Sequence, residues 1–149
     1  MNKEVYVHYG SKHFLWDYFT PVHNKPCNSD KPIGGLWASP TDDVDLSWET
    51  WCRSEGFKID SLDKCFFFTL KDNARVLTLS TPKDLIKAGI SLECFLEGID
   101  FEELKKHYDA IQVYVRRGER PDLHLHHYLM DWDVDSLLVM NPNIIEEVK

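Results

Sequence analysis

Three aspartates alternate with other residues near the C-terminal end of the chain, at Asp131, Asp133 and Asp135. At this spacing the carboxylates either line one edge of a strand or lie on a solvated acidic turn. A carboxylate that is buried close to other acids has a raised pKa. The segment is therefore a candidate acidic site, with an exposed turn as the alternative.

A histidine cluster precedes these acids, at His124, His126 and His127. In a strand, His124 and His126 share a face and could bind a metal ion. No third ligand is evident, and the four cysteines of the chain are widely spaced without a Cys-x-x-Cys pair. We expect packing or surface roles for these histidines and no metal site; a metal-dependent hydrolase is the weaker alternative.

Two consecutive glycines, Gly34 and Gly35, stand before Leu36 and Trp37. Glycine adopts positive φ and lets another backbone or a ligand approach closely, and Pro40 ends regular strand pairing. The segment is predicted to be a short strand that places Trp37. The indole then either lines a ligand site or anchors the strand in the core.

Size and charge narrow the function classes. The 149 residues are 43% hydrophobic and 13% aromatic, which indicates one folded domain over 1–149 and not a disordered chain. A net charge of −8 disfavours non-specific binding to nucleic acid or anionic membranes. No apolar run approaches the roughly 20 residues that cross a bilayer, and the N-terminus lacks a signal-peptide pattern. Reduced cysteines and a cytoplasmic protein are expected.

Hydrophobic patterns predict the elements that must position these residues. Strands are predicted over residues 4–10, 34–40, 64–70, 75–79, 110–115 and 134–140. The turn at residues 72–74 is expected to pair the third and fourth of these strands in an antiparallel hairpin.

Helix signals are fewer and lie between the strands. One helix is predicted to follow the capping residues 41–43, another opens at Thr81 and Pro82, and residues 90–108 are expected to be mostly helical. Long loops are expected at 12–33 and 116–122. Strands mixed with segregated short helices indicate the α+β class.

Three blocks now stand in one order along the chain. Residues 8–11 close the first strand, residues 35–39 carry a glycine-leucine-tryptophan-alanine-serine run, and residues 135–139 open the last strand. Together they resemble the ADP-ribosyltransferase fold, in particular its poly(ADP-ribose) polymerase-like branch, in a small prokaryotic or phage-type form. The resemblance extends over nearly the full length. It implies split, mostly antiparallel sheets with flanking short helices.

The resemblance implies a glycosyltransferase that uses NAD as its substrate and no metal. ADP-ribose would pass to a macromolecular acceptor, expected to be a protein, and nicotinamide would be released. Such a transition state carries positive charge on the sugar, as in glycoside hydrolysis. Asp135 would be the catalytic acid, with Asp133 as the second candidate. Trp37 would form one wall of the nicotinamide pocket, and Trp48 or Trp51 would close its other side by stacking.

The same resemblance implies polar groups that bind the rest of NAD. The backbone N–H and C=O of Gly10 would bind the carboxamide, and Ser11, Ser39 or another nearby serine would add a hydroxyl. The family has histidine directly before this glycine, whereas Tyr9 intervenes here. Either His8 reaches the adenosine-side ribose or the Tyr9 hydroxyl replaces it; we favour His8.

A second departure concerns the acid, because the branch carries glutamate where this chain has Asp135. The shorter side chain leaves an alternative from another functional class. In that alternative the fold is a catalytically inactive binding module, for example a phage or mobile-element effector that docks onto a host protein.

Overall fold

The computed structural model describes residues 3–27, 29–42, 48–117 and 120–148, without the side chains of Ile59, Ser61 and Phe95. Residues 43–47 lie outside the described residues, and they include part of the predicted helix start. The described residues form seven strands: β1 (Tyr6–Tyr9), β2 (Leu36–Pro40), β3 (Cys65–Leu70), β4 (Val76–Leu79), β5 (Ala110–Val113), β6 (Ser136–Val139) and β7 (Ile145–Glu147).

Four short α-helices accompany the strands: α1 (Trp48–Glu55), α2 (Pro82–Lys87), α3 (Cys94–Glu97) and α4 (Phe101–Leu104). The predicted start of α2 is confirmed, since Pro82 is its first residue and the Asp84 carboxylate accepts a hydrogen bond from the Thr81 N–H at 3.0 Å. Residues 90–108 contain only α3 and α4. Within the described ranges, no helix has the length and apolar character that crossing a membrane requires.

The strands form one sheet in the order β4-β5-β6-β2-β1-β3-β7. Every neighbouring pair is antiparallel except β4 and β5, which run parallel. The predicted α+β class with a mostly antiparallel sheet is confirmed. Apolar side chains cover both faces of the sheet. On β6, for example, Leu137 and Leu138 lie in different core clusters and both are fully buried.

The predicted hairpin between residues 64–70 and 75–79 is wrong. β3 pairs with β1 and β7, whereas β4 lies at the opposite edge of the sheet beside β5. The reason is a tether at the start of β5: the Asp109 carboxylate accepts hydrogen bonds from the backbone N–H of Arg75 at 2.8 Å and from its guanidinium at 3.2 Å. Local turn propensity at residues 72–74 cannot reveal such a distant partner.

The two glycines before β2 do allow a backbone to approach closely. Gly34 has φ +83°, and a Cβ built on it would lie 2.3 Å from the carbonyl oxygen of Pro21 and 2.8 Å from that of Thr20. Gly35 donates its N–H to the Thr20 carbonyl at 2.7 Å. The loop before β2 therefore packs directly against the backbone that leads into this strand, which is the first element of the site.

Candidate functional site

The sheet opens between β1 and β2. Their antiparallel ladder ends at the pair Val7 and Ser39, although β1 continues to Tyr9 and β2 begins at Leu36. Beyond that point β1 pairs only with β3, and Leu36 pairs with Val139 of β6. A cleft of about 410 Å³ occupies the gap. The seven strands remain one sheet, and the cleft lies where the pairing between β1 and β2 is open at one end.

Most of the predicted binding residues line this cleft. They are His8, Tyr9, Gly10, Trp37, Ser39 and Trp48. These residues come from the end of β1, from β2 and from the first turn of α1. The cleft therefore brings together parts of the chain that are distant in sequence, because α1 lies beside the point where β1 and β2 separate.

His8 bridges the gap between β1 and β2. Its Nδ1–H donates to the carbonyl oxygen of Trp37 at 2.6 Å, where the backbone of Tyr9 would bond if the two strands stayed paired. With Nδ1 as donor, Nε2 of the neutral ring is an acceptor. Burial lowers the pKa of His8, which keeps the ring neutral near pH 7 despite the bond to Trp37.

The backbone of Tyr9, and not that of Gly10, faces the cleft. Gly10 donates its N–H to the carbonyl oxygen of Lys64 at 2.7 Å, on the β3 side. Successive residues of a strand direct their N–H and C=O groups to opposite edges, so those of Tyr9 point towards β2. This differs from the expected carboxamide clamp at Gly10. Because Tyr9 stands between His8 and Gly10, the backbone groups that are open to the cleft belong to Tyr9, the residue directly after His8.

The Tyr9 side chain is already engaged elsewhere. Its hydroxyl donates to the Glu49 carboxylate at 3.3 Å. Burial and the charge of Glu49 raise the pKa of Tyr9 to about 12, so the hydroxyl stays protonated. Of the two alternatives for the ribose contact, the imidazole of His8 is the better placed.

Tryptophans form the flat walls of the cleft. Trp37 packs edge-on against the buried Trp132, with ring centroids 4.9 Å apart. Trp48 stacks on Trp51 with centroids 5.2 Å apart and planes inclined by 16°, and the ring of Phe57 meets both edge-on. Of the two predicted stacking residues, Trp48 lines the cleft, and Trp51 packs against the Trp48 ring without lining it.

The two candidate serines lie in different places. Ser39 is buried in the cleft wall, and its Oγ accepts the Trp48 N–H at 3.3 Å, which ties α1 to β2. Ser11 donates its hydroxyl to the His13 carbonyl oxygen at 3.0 Å and lines a second cavity of about 240 Å³. His8 and Gly10 line both cavities, so the two cavities are neighbours.

Asp135 does not line the cleft with its neighbours. Val134 and Ser136 do, whereas the Asp135 side chain between them points to the other side. Because the chain bends at Val134, before β6 begins, Asp133 does not follow Asp135 there. The Asp135 carboxylate is 2% exposed and accepts hydrogen bonds from the Val115 N–H at 2.9 Å and from Arg117 Nε at 3.0 Å. Burial raises the pKa of Asp135, opposed by these two donors. The acid that lines the cleft is Asp133, the second candidate.

The cleft also carries charges that sequence reasoning did not assign to it. Lys31 and Lys58 line it, and Lys31 Nζ lies 5.3 Å from the Trp37 ring centroid. Burial lowers the pKa of Lys31, while the nearby carboxylates of Asp133 and Asp131 raise it. An excess of lysines over acids in residues 1–40 was the available signal, but it does not single out Lys31.

Two histidines of the cluster hydrogen-bond main-chain carbonyl groups. His126 Nδ1 hydrogen-bonds the Trp132 carbonyl oxygen at 3.1 Å, and His127 Nε2 hydrogen-bonds that of Pro121 at 2.8 Å. In the described part of the chain, no group of three or more histidine, cysteine, aspartate or glutamate side chains is arranged to hold a metal ion.

A buried acid stands behind Lys31. Asp30 is 1% exposed; its Oδ2 accepts the Asp131 N–H at 3.1 Å, and its carbonyl oxygen accepts Trp132 Nε1–H at 2.6 Å. Oδ1 of Asp30 is buried without a hydrogen-bond partner among the described residues. Burial, together with the Asp131 carboxyl within hydrogen-bonding reach, raises the pKa of Asp30 to about 6.

Asp30→Asn is expected to stabilise the protein at pH 7.5 by about 1–3 kcal/mol and to have little effect at pH 4.5. A raised carboxyl pKa means that the folded state binds the proton more tightly than the unfolded chain. The resulting stability is present below the unfolded pKa and is lost as pH rises to about 6. Urea unfolding between pH 4.5 and 7.5 measures the effect, with the exposed Asp17→Asn as control. Equal destabilisation at every pH would contradict it.

No protein-family model, curated protein or solved structure matches this chain.

Proposed function

We propose that this protein binds NAD in the cleft between β1 and β2 and transfers ADP-ribose to a protein acceptor, with release of nicotinamide. The observation that carries the proposal is the convergence of Trp37, Trp48 and the open backbone edge of Tyr9 on one cleft. Flat aromatic walls beside a paired donor and acceptor suit a planar ring that carries a carboxamide.

Nicotinamide would occupy the part of the cleft between the tryptophans. The N–H of Tyr9 would donate to the carboxamide oxygen, and its C=O would accept from the carboxamide NH₂. Backbone groups are fixed by the strand, so such a clamp needs no side-chain ordering on binding.

The remainder of NAD fits what surrounds His8. Nε2 of His8 would accept a hydrogen bond from a ribose hydroxyl. The second cavity, on the other side of His8, is lined by Phe14, Tyr18 and Phe66, which suit the adenine ring. Lys31 would offset the charge of the diphosphate.

In the proposed reaction the bond between the nicotinamide nitrogen and the ribose anomeric carbon breaks, and nicotinamide leaves with the electron pair. The positive charge that develops on the sugar is stabilised by the Asp133 carboxylate. A nucleophile of the acceptor then attacks the anomeric carbon and loses its proton.

A binding module on the same fold is the second candidate. The specific observation in its favour is that β6 begins with Ser136, which lines the cleft, while the carboxylate of Asp135 is buried behind it. A cleft of this kind would hold NAD without turning it over.

The two candidates are separated by measuring binding and turnover on one preparation. NAD at a hundred times its Kd is expected to stabilise the protein by about 2.7 kcal/mol, measured by the thermal unfolding midpoint. Chromatography of the same samples detects nicotinamide. Binding with release supports the transferase, and binding without release supports the binding module. No stabilisation at millimolar NAD would contradict both.

Trp48→Ala is expected to weaken NAD binding about tenfold or more, because stacking on an indole contributes about 1–3 kcal/mol per ring. Trp48→Phe keeps a flat wall and is the matched control, with an expected loss of a few-fold. Quenching of tryptophan fluorescence by NAD gives both affinities. Equal affinity in the alanine variant would place the ligand elsewhere.

A further inference from the structure

The segment that brings Asp133 to the cleft has hydrogen-bond partners on its side away from the cleft. Arg117 lies on that far side, and its guanidinium contacts two segments at once. Nε donates to Asp135 at 3.0 Å, just before β6, while Nη1 and Nη2 donate to the Asp42 carboxylate at 3.3 and 3.2 Å, just after β2. β2 and β6 are neighbours in the sheet and both supply residues to the cleft.

The Arg117 side chain is itself restrained. Its guanidinium carbon lies 4.1 Å from the ring centroid of Tyr114, and its side chain is only 32% exposed. A planar guanidinium stacked on a ring presents its N–H groups in fixed directions, which a lysine ammonium cannot do. Arg116 adds a hydrogen bond to the carbonyl oxygen of Asp133 from the same loop.

We propose that Arg117 is a positioning residue for the cleft: by bridging Asp42 and Asp135 it fixes where the segment 133–136 presents Asp133, Val134 and Ser136. Asp135 lies between two cleft-lining residues, and its buried carboxylate makes the hydrogen bonds that fix the segment. The kinetic consequence rests on the proposed function, whereas the structural consequence does not.

A purely structural role for Arg117 leads to a different expectation. If its guanidinium only neutralises the buried charge of Asp135, replacing both groups by neutral amides should restore both the stability and the rate of nicotinamide release, since no unpaired buried charge is left. If it positions the segment, the neutral pair repairs stability but leaves the bridge to Asp42 missing.

The experiment compares Asp42→Ala, Arg117→Gln and the double variant Arg117→Gln/Asp135→Asn, with the exposed Arg120→Gln as control. Misplacing a reacting group by about 1 Å costs up to a hundredfold in rate, so nicotinamide release is expected to slow about ten- to a hundredfold in all three variants, with KM for NAD nearly unchanged. The unfolding midpoint is expected to fall only in Arg117→Gln. Asp42→Ala removes both oxygens that accept from Arg117 at this end and leaves the bond between Arg117 and Asp135 in place, so it tests the bridge even where Arg117→Gln fails to fold.

A second readout does not depend on turnover. With 5-fluorotryptophan, the ¹⁹F resonances of Trp37 and Trp132 are expected to move in Asp42→Ala and in the double variant, while the exposed Trp16 and the Arg120→Gln control keep their shifts. A wild-type rate or an unchanged Trp37 and Trp132 spectrum in these variants would overturn the positioning role. Failure of the proposed function shows separately, as wild-type protein that releases no nicotinamide; the ¹⁹F spectra then decide alone.

Discussion

Asp133→Asn is expected to slow nicotinamide release from NAD by about 10²–10⁴-fold while the Kd for NAD changes only a few-fold. The asparagine is nearly isosteric, so the cleft keeps its shape, but it lacks the negative charge that stabilises a cationic sugar. Asp133 lines the cleft, and its carbonyl oxygen is held by Arg116, so the main-chain position of the variant is expected to be retained.

Asp135→Asn is the variant with which the rate of Asp133→Asn is to be compared. The amide oxygen of that variant still accepts the Val115 N–H, and the bond from Arg117 loses its charge assistance. We expect a loss of about tenfold, which is smaller than for Asp133→Asn because Asp135 acts on the cleft only through the segment it holds. Full activity of Asp133→Asn together with an inactive Asp135→Asn would assign the reacting carboxylate to Asp135. Unfolding midpoints measured on both variants separate loss of chemistry from loss of fold.

Gly34→Ala is expected to destabilise the protein by about 3 kcal/mol or more, or to prevent folding. A methyl group at this position would meet the Pro21 carbonyl oxygen at 2.3 Å, and main-chain atoms cannot move aside as a flexible side chain can. The positive φ of +83° adds a strain of about 1 kcal/mol for any residue with a Cβ. Chemical denaturation measures the loss.

Gly89→Ala is the matched control for the clash. Gly89 has nearly the same φ, +77°, but a Cβ there would have no atom within 4 Å. It should lose only the strain, about 1 kcal/mol. If both variants lose the same free energy of unfolding, the close approach at Gly34 contributes nothing and the backbone conformation alone explains the need for glycine.

Sequence patterns predicted the local elements well where their signals are local. The Thr81 and Pro82 signal marked the start of α2, and the apolar runs marked β1 to β6, because capping and alternation involve residues only a few positions apart. The hairpin between residues 64–70 and 75–79 failed for the opposite reason. Asp109 binds Arg75 across 34 residues, and turn propensity carries no information about that partner.

In the candidate site, too, the sequence predicted which side chains take part but not the long-range backbone pairing. The side chains of His8, Trp37 and Trp48 were predicted as cleft residues and do line one cleft. The Gly10 N–H pairs with Lys64 on the β3 side, so the backbone that is open to the cleft is that of Tyr9 and not that of Gly10.

By itself, the sequence determined which residue types were available for chemistry and that short strands would present them, since composition and alternation are properties of the chain. Only the tertiary structure decided which carboxylate lines the cleft. Strand alternation would give Asp133 and Asp135, two residues apart, the same face, but the chain bends at Val134, and Asp135 is held away from the cleft by the Val115 N–H and by Arg117. These partners lie 20 and 18 residues earlier in the chain, so no local pattern could have made the choice.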